Sequence, residues 1–181
     1  MIDMDFFSKM KGASKSPPRA SGWEIFLSWL GSFLGIGLIV LIDLEVNRGA
    51  DMVLIIAPFG ASAVLLYGAT KSPLAQPRNV LGGHILSALI GVAAFKICQG
   101  QVWLAAPLAV STAIAAMHAT KTLHPPGGAT ALVAVIGSEK VHALGFLFAI
   151  IPVGAGAAVM LLVALLFNNL SRTRRYPEYW F

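Results

Sequence analysis

The stretch Pro58-Phe59-Gly60-Ala61-Ser62-Ala63-Val64 returns at an offset of 68 (126 minus 58) as Pro126-Gly127-Gly128-Ala129-Thr130-Ala131-Leu132. Both copies follow the pattern Pro-x-Gly-Ala-[Ser/Thr]-Ala-[Val/Leu]. Proline suits the first turn of a helix, where its missing N–H leaves no partner unsatisfied. Glycine and alanine beside it remove side-chain bulk and leave the backbone N–H groups accessible. The repeat therefore predicts two helices that begin in the same way.

The composition places both copies in a membrane. Of the 181 residues, 57% are hydrophobic and 12% are charged, whereas a soluble domain carries about 25% charged residues. That is too little polar surface to cover a globule in water. The formal net charge is +5, but the basic residues lie outside the apolar runs, mostly in the two tails. This distribution follows the positive-inside rule, so we expect a lipid bilayer as partner and no nucleic acid.

Six apolar runs follow one another, against a requirement of about 20 residues to cross roughly 30 Å of hydrocarbon. The runs are Trp23–Ile42, Met52–Ala69, Val80–Cys98, Trp103–Met117, Pro125–Gly137 and Ala143–Phe167. Positive charge alternates between the loops in a way that fits six crossings with both termini in the cytoplasm. Four crossings with two re-entrant segments give the same termini, so that alternative stays open.

The repeat divides the chain into two halves of three runs each. We expect a cytosolic N-terminal tail at 1–22, a transmembrane transport domain at 23–168 and a basic C-terminal tail at 169–181. Repeat 1 covers about 23–98 and repeat 2 about 103–168. Because three is odd, the second half enters from the opposite side, which predicts an all-α 3+3 inverted repeat with interrupted second and fifth helices. Glycine-rich helix faces commonly associate, so we also expect a homo-oligomer.

The two helix starts form the predicted substrate site. A helix N-terminus carries about half a positive charge, and two such ends facing one another near the midplane would suit a small anion. The predicted binding residues are Pro58, Gly60, Ala61 and Ser62 in the first copy and Pro125, Pro126, Gly127, Gly128, Ala129 and Thr130 in the second. The alternative interpretation is helix packing and kinking, for which these residue types are common in membranes.

Polar residues next to the second copy complete the site. Lys121 is predicted to attract the anion, or else to extend its amine from the membrane interface. His124 is predicted to cap the helix, with proton linkage as the alternative. A secondary set consists of His84, Arg78, Asn79 and His118. The spacing of the three histidines matches no standard metal-ligand pattern, so we predict no metal.

Motifs for catalysis and for energised transport are absent from the sequence. The apolar runs contain no paired carboxylates and no His-Glu-x-x-His pattern, and there is no Gly-Lys-[Ser/Thr] phosphate loop. We therefore expect no enzymatic activity and no cofactor, and we expect secondary or passive transport. The absence of buried Asp or Glu also disfavours cation transport.

The stretch Leu123-His124-Pro125-Pro126-Gly127-Gly128-Ala129-Thr130-Ala131-Leu132 resembles the signature of the HPP family of integral membrane proteins. Pro58–Leu66, Pro73–Asn79 and Gly82-Gly83-His84 are also similar to its pattern, and the likeness covers roughly residues 23–168. Family members in cyanobacteria and plastids are associated with nitrite transport, many bacterial members have no assigned substrate, and the family is usually described with four spans.

The resemblance implies membrane transport, with nitrite as the first candidate solute, in a bacterial or cyanobacterial plasma membrane. The alternatives are a non-conducting membrane scaffold or assembly subunit, and a permease for a different small solute.

Overall fold

Helices form the regular structure of this computed structural model, which describes residue 6 and residues 8–12, 14–46 and 54–181. The α-helices are α1 Gly22–Val46, α2 Pro58–Ala63, α3 Pro77–Ile97, α4 Val102–Ala119, α5 Pro125–Ile136, α6 Glu139–Leu144 and α7 Ala155–Leu170. Single turns of 3-10 or π-helix lie at Lys9–Lys11, Val64–Gly68, Pro73–Ala75 and Gly145–Ala149, and the segment Ile150–Gly154 is interrupted at Ile151. No strand occurs in the part of the chain that the structure describes.

Four helical stretches are long and apolar enough to cross a membrane. They are Gly22–Glu45, Pro77–Ile97, Val102–Ala119 and Glu139–Leu170. The two proline-initiated helices, Pro58–Gly68 and Pro125–Ile136, are shorter. With 12 residues in α5 and a rise of about 1.5 Å per residue, that helix is roughly 18 Å long, well short of the hydrocarbon thickness.

The all-helical membrane architecture is confirmed, whereas six full crossings and the inverted repeat stay predictions. Met52 and Val53, at the predicted start of the second run, lie outside the described residues.

The last predicted run, Ala143–Phe167, is not one continuous helix. Ile151 has φ −132° and ψ 121° and separates the turns at 145–149 from α7. The cause is Pro152, because a proline ring disfavours the helical conformation of the residue before it. Sequence reasoning treated this run as unbroken, and that prediction is wrong.

Contacts between chain ends and loops define two faces of the bundle. On the first, which we call the tail face, Arg174 bonds to Glu24, Arg78 bonds to the Thr120 carbonyl, and His124 bonds to the Leu74 carbonyl. On the opposite face, the Asp43 carboxylate accepts a hydrogen bond from the Leu54 N–H. Successive segments therefore alternate in direction, and α2 and α5 pack side by side in antiparallel orientation.

Close backbone contacts hold α3 against α5 at the centre of the bundle. A Cβ atom added at Gly91 would lie 2.5 Å from the Ala131 carbonyl oxygen and 2.7 Å from the Ala134 Cβ. One added at Gly127 would lie 2.8 Å from the Gly83 carbonyl oxygen. Small residues allow such approach in membranes, where dispersion contacts rather than water exclusion hold helices together.

The C-terminal tail docks on the tail face instead of extending from it. The Arg174 side chain is only 4% exposed and forms an ion pair of 2.8 Å with Glu24. It also donates to the Tyr67 carbonyl and to Asn168 Oδ1, so it ties the start of α1 to the ends of two other segments. Sequence analysis predicted only that this tail is basic.

Tyr176 extends this docking to the loop before α3. Its hydroxyl donates to the Ala75 carbonyl at 2.6 Å. The Glu178 N–H donates to Gln76 Oε1, and the Gln76 amide donates to the Thr70 and Ser72 carbonyls. The tail therefore fixes the loop at residues 70–76.

We expect Gly91→Ala to lower the free energy of unfolding by about 1–3 kcal/mol, the usual cost of overpacking a tight contact. Gly37→Ala on α1 is the matched control, because a Cβ atom there meets nothing within 4 Å. The control should be neutral or stabilising by up to about 1 kcal/mol, because alanine favours helix. Thermal unfolding of purified protein in detergent measures both. Equal transition temperatures for the two variants would contradict the close α3–α5 contact.

We expect Arg174→Gln to destabilise the protein by about 2–3 kcal/mol, because the change leaves buried partners of a charged group unsatisfied. Arg175→Gln is the control, since Arg175 is exposed and removal of a solvated charge is nearly neutral. The same unfolding measurement applies. If both variants melt alike, the tail does not dock as described.

Candidate functional site

Four polar side chains lie at the centre of the apolar bundle: Ser62, His84, His124 and Thr130. Each is at most 1% exposed. Ser62 comes from α2, His84 from α3, and Thr130 from α5, while His124 is the residue just before α5. We call these four residues the His–Ser–Thr cluster.

Ser62 lies between the two imidazole rings. Its Oγ is 2.7 Å from His84 Nε2 and 3.0 Å from His124 Nε2. The two ring centroids are 4.9 Å apart in an edge-to-face arrangement. On its other side, His84 Nδ1 lies 2.7 Å from Thr130 Oγ1. One serine and one threonine, from the two copies of the repeated motif, therefore bond to the same histidine.

Backbone carbonyls terminate this chain of hydrogen bonds at both ends. Thr130 Oγ1 donates to the Pro126 carbonyl at 3.1 Å, and His124 Nδ1 donates to the Leu74 carbonyl at 2.7 Å. The Leu74 carbonyl can only accept, so His124 Nδ1 is the donor at that end, whereas the direction of the bond between Thr130 and His84 depends on the His84 tautomer. Leu74 belongs to the loop that the C-terminal tail holds in place.

The repeat itself explains how the cluster is assembled. Ser62 and Thr130 each stand four residues after the motif proline, so both occupy the second turn of a short helix. Because the two helices pack antiparallel and side by side, these second turns come to the same height beside α3. His84 projects from α3 between them.

Glycine and aromatic packing close the cluster. A Cβ atom at Gly83 would lie 2.6 Å from the His124 Cβ, so only glycine permits that approach. Phe59 covers His84 edge-on, with ring centroids 5.4 Å apart. Phe59 in turn fits against Gly156 of α7, where a Cβ would lie 2.3 Å from its ring.

The prediction that the two helix starts face one another is wrong. The residues just before α2, Ile55 to Ala57, line a cavity of about 280 Å³ together with Val133 and Gly137, which lie at the opposite end of α5. Lateral packing of two antiparallel helices brings their sides together and keeps their starts apart.

Protein carbonyls also bond to the first-turn amides that were predicted to bind an anion. The Phe59 and Gly60 N–H groups donate to Ile56 and Ala57 at 3.0 and 3.1 Å, and the Gly127 N–H donates to His124 at 2.8 Å. These three N–H groups are therefore already hydrogen-bonded and are not available to an anion.

Only part of the predicted site converges. Ser62, His124 and Thr130 meet in the cluster, with Pro126 supplying a carbonyl, while Pro58 and Gly127 are buried in helix contacts. The remaining members of the two motifs face outward or are half-buried: Gly60, Ala61, Pro125, Gly128 and Ala129. The motif residues therefore divide between two sides of each helix, one that faces the cluster and one that faces outward.

The predicted flanking residues lie at the tail face. Lys121 and His118 are exposed, and Lys121 has the positive φ of 56° that closes the turn after α4. Arg78 donates to the Thr120 carbonyl at 2.6 Å and Asn79 donates to the Leu123 carbonyl at 2.9 Å. These two bonds fix residues 120–123, the loop between α4 and α5 that leads to His124.

Sequence reasoning ranked His84 as secondary, whereas it is the residue that links both motifs. The signal was present, because His84 is the one histidine inside a long apolar run. Leu74 was missed, since a backbone carbonyl leaves no trace in the sequence. The three histidines 84, 118 and 124 do not assemble, because His118 is exposed. Within the described residues, no group of three potential metal-ligating side chains occurs.

Residues 17–177 match the family model described as HPP, transmembrane region. Two relatives, both described as transmembrane proteins of Dictyostelium discoideum, are 47% and 44% identical over 180 and 185 residues, which cover 98% and 99% of this chain. The chain spans 58% and 65% of the length of these relatives. No solved structure matches it significantly. The match and the apolar helices make the chain an integral membrane protein.

Proposed function

The chain belongs to the HPP family of transmembrane proteins, and we propose that it is a permease that carries a small monovalent anion past the His–Ser–Thr cluster. Nitrite is the first candidate solute, in line with the association of family members noted above. One observation carries the proposal: Ser62 and Thr130, from the two copies of one motif, bond to the same buried histidine, His84. We propose transport without a chemical reaction.

Energetics supports a functional role for the cluster. Polar groups at membrane depth cost free energy unless they are fully bonded, and apolar side chains would fill the same space at lower cost. Four bonded polar side chains in an otherwise apolar centre therefore favour a pathway over simple packing. Rings and hydroxyls can exchange a bond to one another for a bond to a passing solute.

The chemistry of the cluster favours an anion. The cluster offers N–H and O–H donors and no carboxylate. Among the described helices, acidic residues lie only near helix ends: Glu24, Asp43, Glu45 and Glu139. Within the described residues a cation would find no carboxylate at the depth of the cluster, whereas a small anion would accept the N–H and O–H bonds that the cluster groups otherwise donate to one another.

A route from the face opposite the tail is short. The cavity of about 280 Å³ reaches Ala57 and Val133. Val133 stands three residues from Thr130, roughly 4.5 Å along the helix axis, and Ala57 stands five residues from Ser62, roughly 7.5 Å. Because the cluster itself is at most 1% exposed, passage would require α2 and α5 to separate locally.

The first experiment is nitrite uptake into liposomes that contain the purified full chain, with nitrite measured colorimetrically. We expect uptake faster than in protein-free vesicles. Ser62→Ala and Thr130→Val should each slow it about tenfold, since one lost hydrogen bond of about 1.4 kcal/mol raises the barrier by that factor. Ser111→Ala on the exposed face of α4 is the matched control and should transport normally.

Uptake no faster than in protein-free vesicles for nitrite, nitrate, formate and chloride would overturn the permease and favour a membrane scaffold. Equal rates for Ser62→Ala and Ser111→Ala would move the pathway away from the cluster. We also propose that both termini lie in the cytoplasm and that the protein forms a homo-oligomer. A bacterial or cyanobacterial plasma membrane stays a prediction, because both relatives come from Dictyostelium discoideum.

A further inference from the structure

We propose that a cavity on the tail face binds the phosphate headgroup of an anionic phospholipid from the surrounding leaflet. The cavity has a volume of about 550 Å³ and lies among three segments: the first turn of α1, the loop at 68–72 and the C-terminal tail at 173–174. The ligand is a component of the membrane and not a transported solute. The proposal therefore does not depend on the proposed transport.

Hydrogen-bond donors without a protein acceptor line the cavity on its loop side. The Ser72 N–H donates to the Ala69 carbonyl at 2.8 Å and closes a turn whose central residues are Thr70 and Lys71. Within the described residues, the N–H groups of these two residues and the Thr70 hydroxyl donate to no protein acceptor. Successive backbone N–H groups in a turn commonly bind anions, so this loop can receive a phosphate.

The side chains around the cavity carry an excess of positive charge. Lys71 is exposed, and in the described part of the chain its ammonium forms no ion pair. Arg174 is the second cation, and Glu24 is the one carboxylate among the lining residues. Both Glu24 oxygens already accept bonds, Oε1 from the Thr173 hydroxyl and Oε2 from Arg174, each at 2.9 Å. The Lys71 charge therefore remains for a ligand.

The tail face as a whole is complementary to an anionic leaflet. Four basic residues precede α1, three stand in or beside the loops of this face (Lys71, Arg78 and Lys121), and three lie in the C-terminal tail. Against these ten, the described segments of this face carry two acidic side chains, Glu24 and Glu178. Clusters of lysine and arginine at the ends of membrane helices attract anionic lipids. This charge raises the local concentration of the lipid that the cavity would bind.

Aromatic residues place the cavity at the depth of the lipid headgroups. Glu24 follows Trp23, which begins a ladder of exposed rings along α1 that continues through Phe26, Trp29 and Phe33. Successive ring centroids are 5.7, 6.2 and 5.9 Å apart. Tryptophan prefers the boundary between headgroups and hydrocarbon. Acyl chains of a lipid held in the cavity would therefore have an apolar helix surface beside them.

The size of the cavity favours a lipid headgroup over a free phosphate ion. Pockets of about 300–1,000 Å³ hold organic ligands of moderate size, and 550 Å³ lies within that range. A phosphodiester with its attached alcohol would fill much of this space. A lone phosphate ion would leave most of it to water and would gain no contact with the bilayer.

A bound headgroup would connect the loop to the tail. The two segments already contact one another through the bond from Tyr176 to the Ala75 carbonyl and that from Glu178 to Gln76. A ligand that binds only the folded protein stabilises it in proportion to its occupancy. Anionic lipid should therefore raise the thermal stability of the protein.

The test is thermal unfolding of the purified full chain in a neutral detergent, titrated with phosphatidylglycerol. We expect the transition temperature to rise and to saturate, whereas phosphatidylcholine should leave it unchanged. Lys71→Gln should weaken the apparent affinity for phosphatidylglycerol about fivefold, the usual contribution of one lysine near an anionic lipid surface. Lys15→Gln is the matched control, because it removes the same charge from the exposed segment before α1 and does not line the cavity.

Thr70→Val gives a second variant that leaves every charge in place. Loss of the hydroxyl should weaken binding of phosphatidylglycerol, whereas Thr70→Ser keeps the donor and should bind like the parent protein.

Three outcomes would overturn the proposal. An equal rise with phosphatidylcholine would mean that the headgroup charge is not recognised. An equal rise with inorganic phosphate alone would assign the cavity to a soluble anion. Equal weakening by Lys71→Gln and Lys15→Gln would show that the diffuse charge of the face attracts the lipid and that the cavity does not bind it.

Discussion

A polar group inside hydrocarbon has no water to bond, and this constraint shapes the centre of the protein. The fold answers it by bringing the four polar side chains of the His–Ser–Thr cluster to one another. Ser62 and Thr130 reach the histidines, and the histidines reach each other and two backbone carbonyls. Arg174 follows the same rule at the tail face, where its guanidinium bonds to Glu24, Asn168 and a carbonyl.

Glycine makes these arrangements possible. Bonds of 2.7–3.0 Å between side chains of different helices require the helix axes to approach closely. The lack of a side chain at Gly83 allows the close approach of His124, and the lack of one at Gly91 allows that of Ala131. On the outer surface the chain carries large apolar side chains instead, such as Trp29, Phe33 and Leu170. Glycine and alanine therefore mark the closest contacts between helices, while large apolar side chains both fill the core, as Phe59 does, and cover the outer surface.

The sequence predicted those properties that depend on composition and local pattern. Low charge identified the membrane class, and the repeated motif located two proline-initiated helices at Pro58 and Pro125. It could not show that these helices lie side by side, because relative placement depends on packing against α3. Docking of Arg174 depends on partners some 150 positions away in the chain. The break at Ile151 was predictable from Pro152, but the long apolar run at Ala143–Phe167 favoured the prediction of one continuous helix.

The docked tail has a consequence for biosynthesis. The chain is made from its N-terminus, so the loop that carries Leu74 emerges long before Tyr176, whose partner Ala75 lies 101 positions earlier. Helices can insert and pack while that loop still lacks its clamp. The loop whose Leu74 carbonyl accepts the bond from His124 of the His–Ser–Thr cluster therefore gains its contact with Tyr176 only after residue 176 has been synthesised.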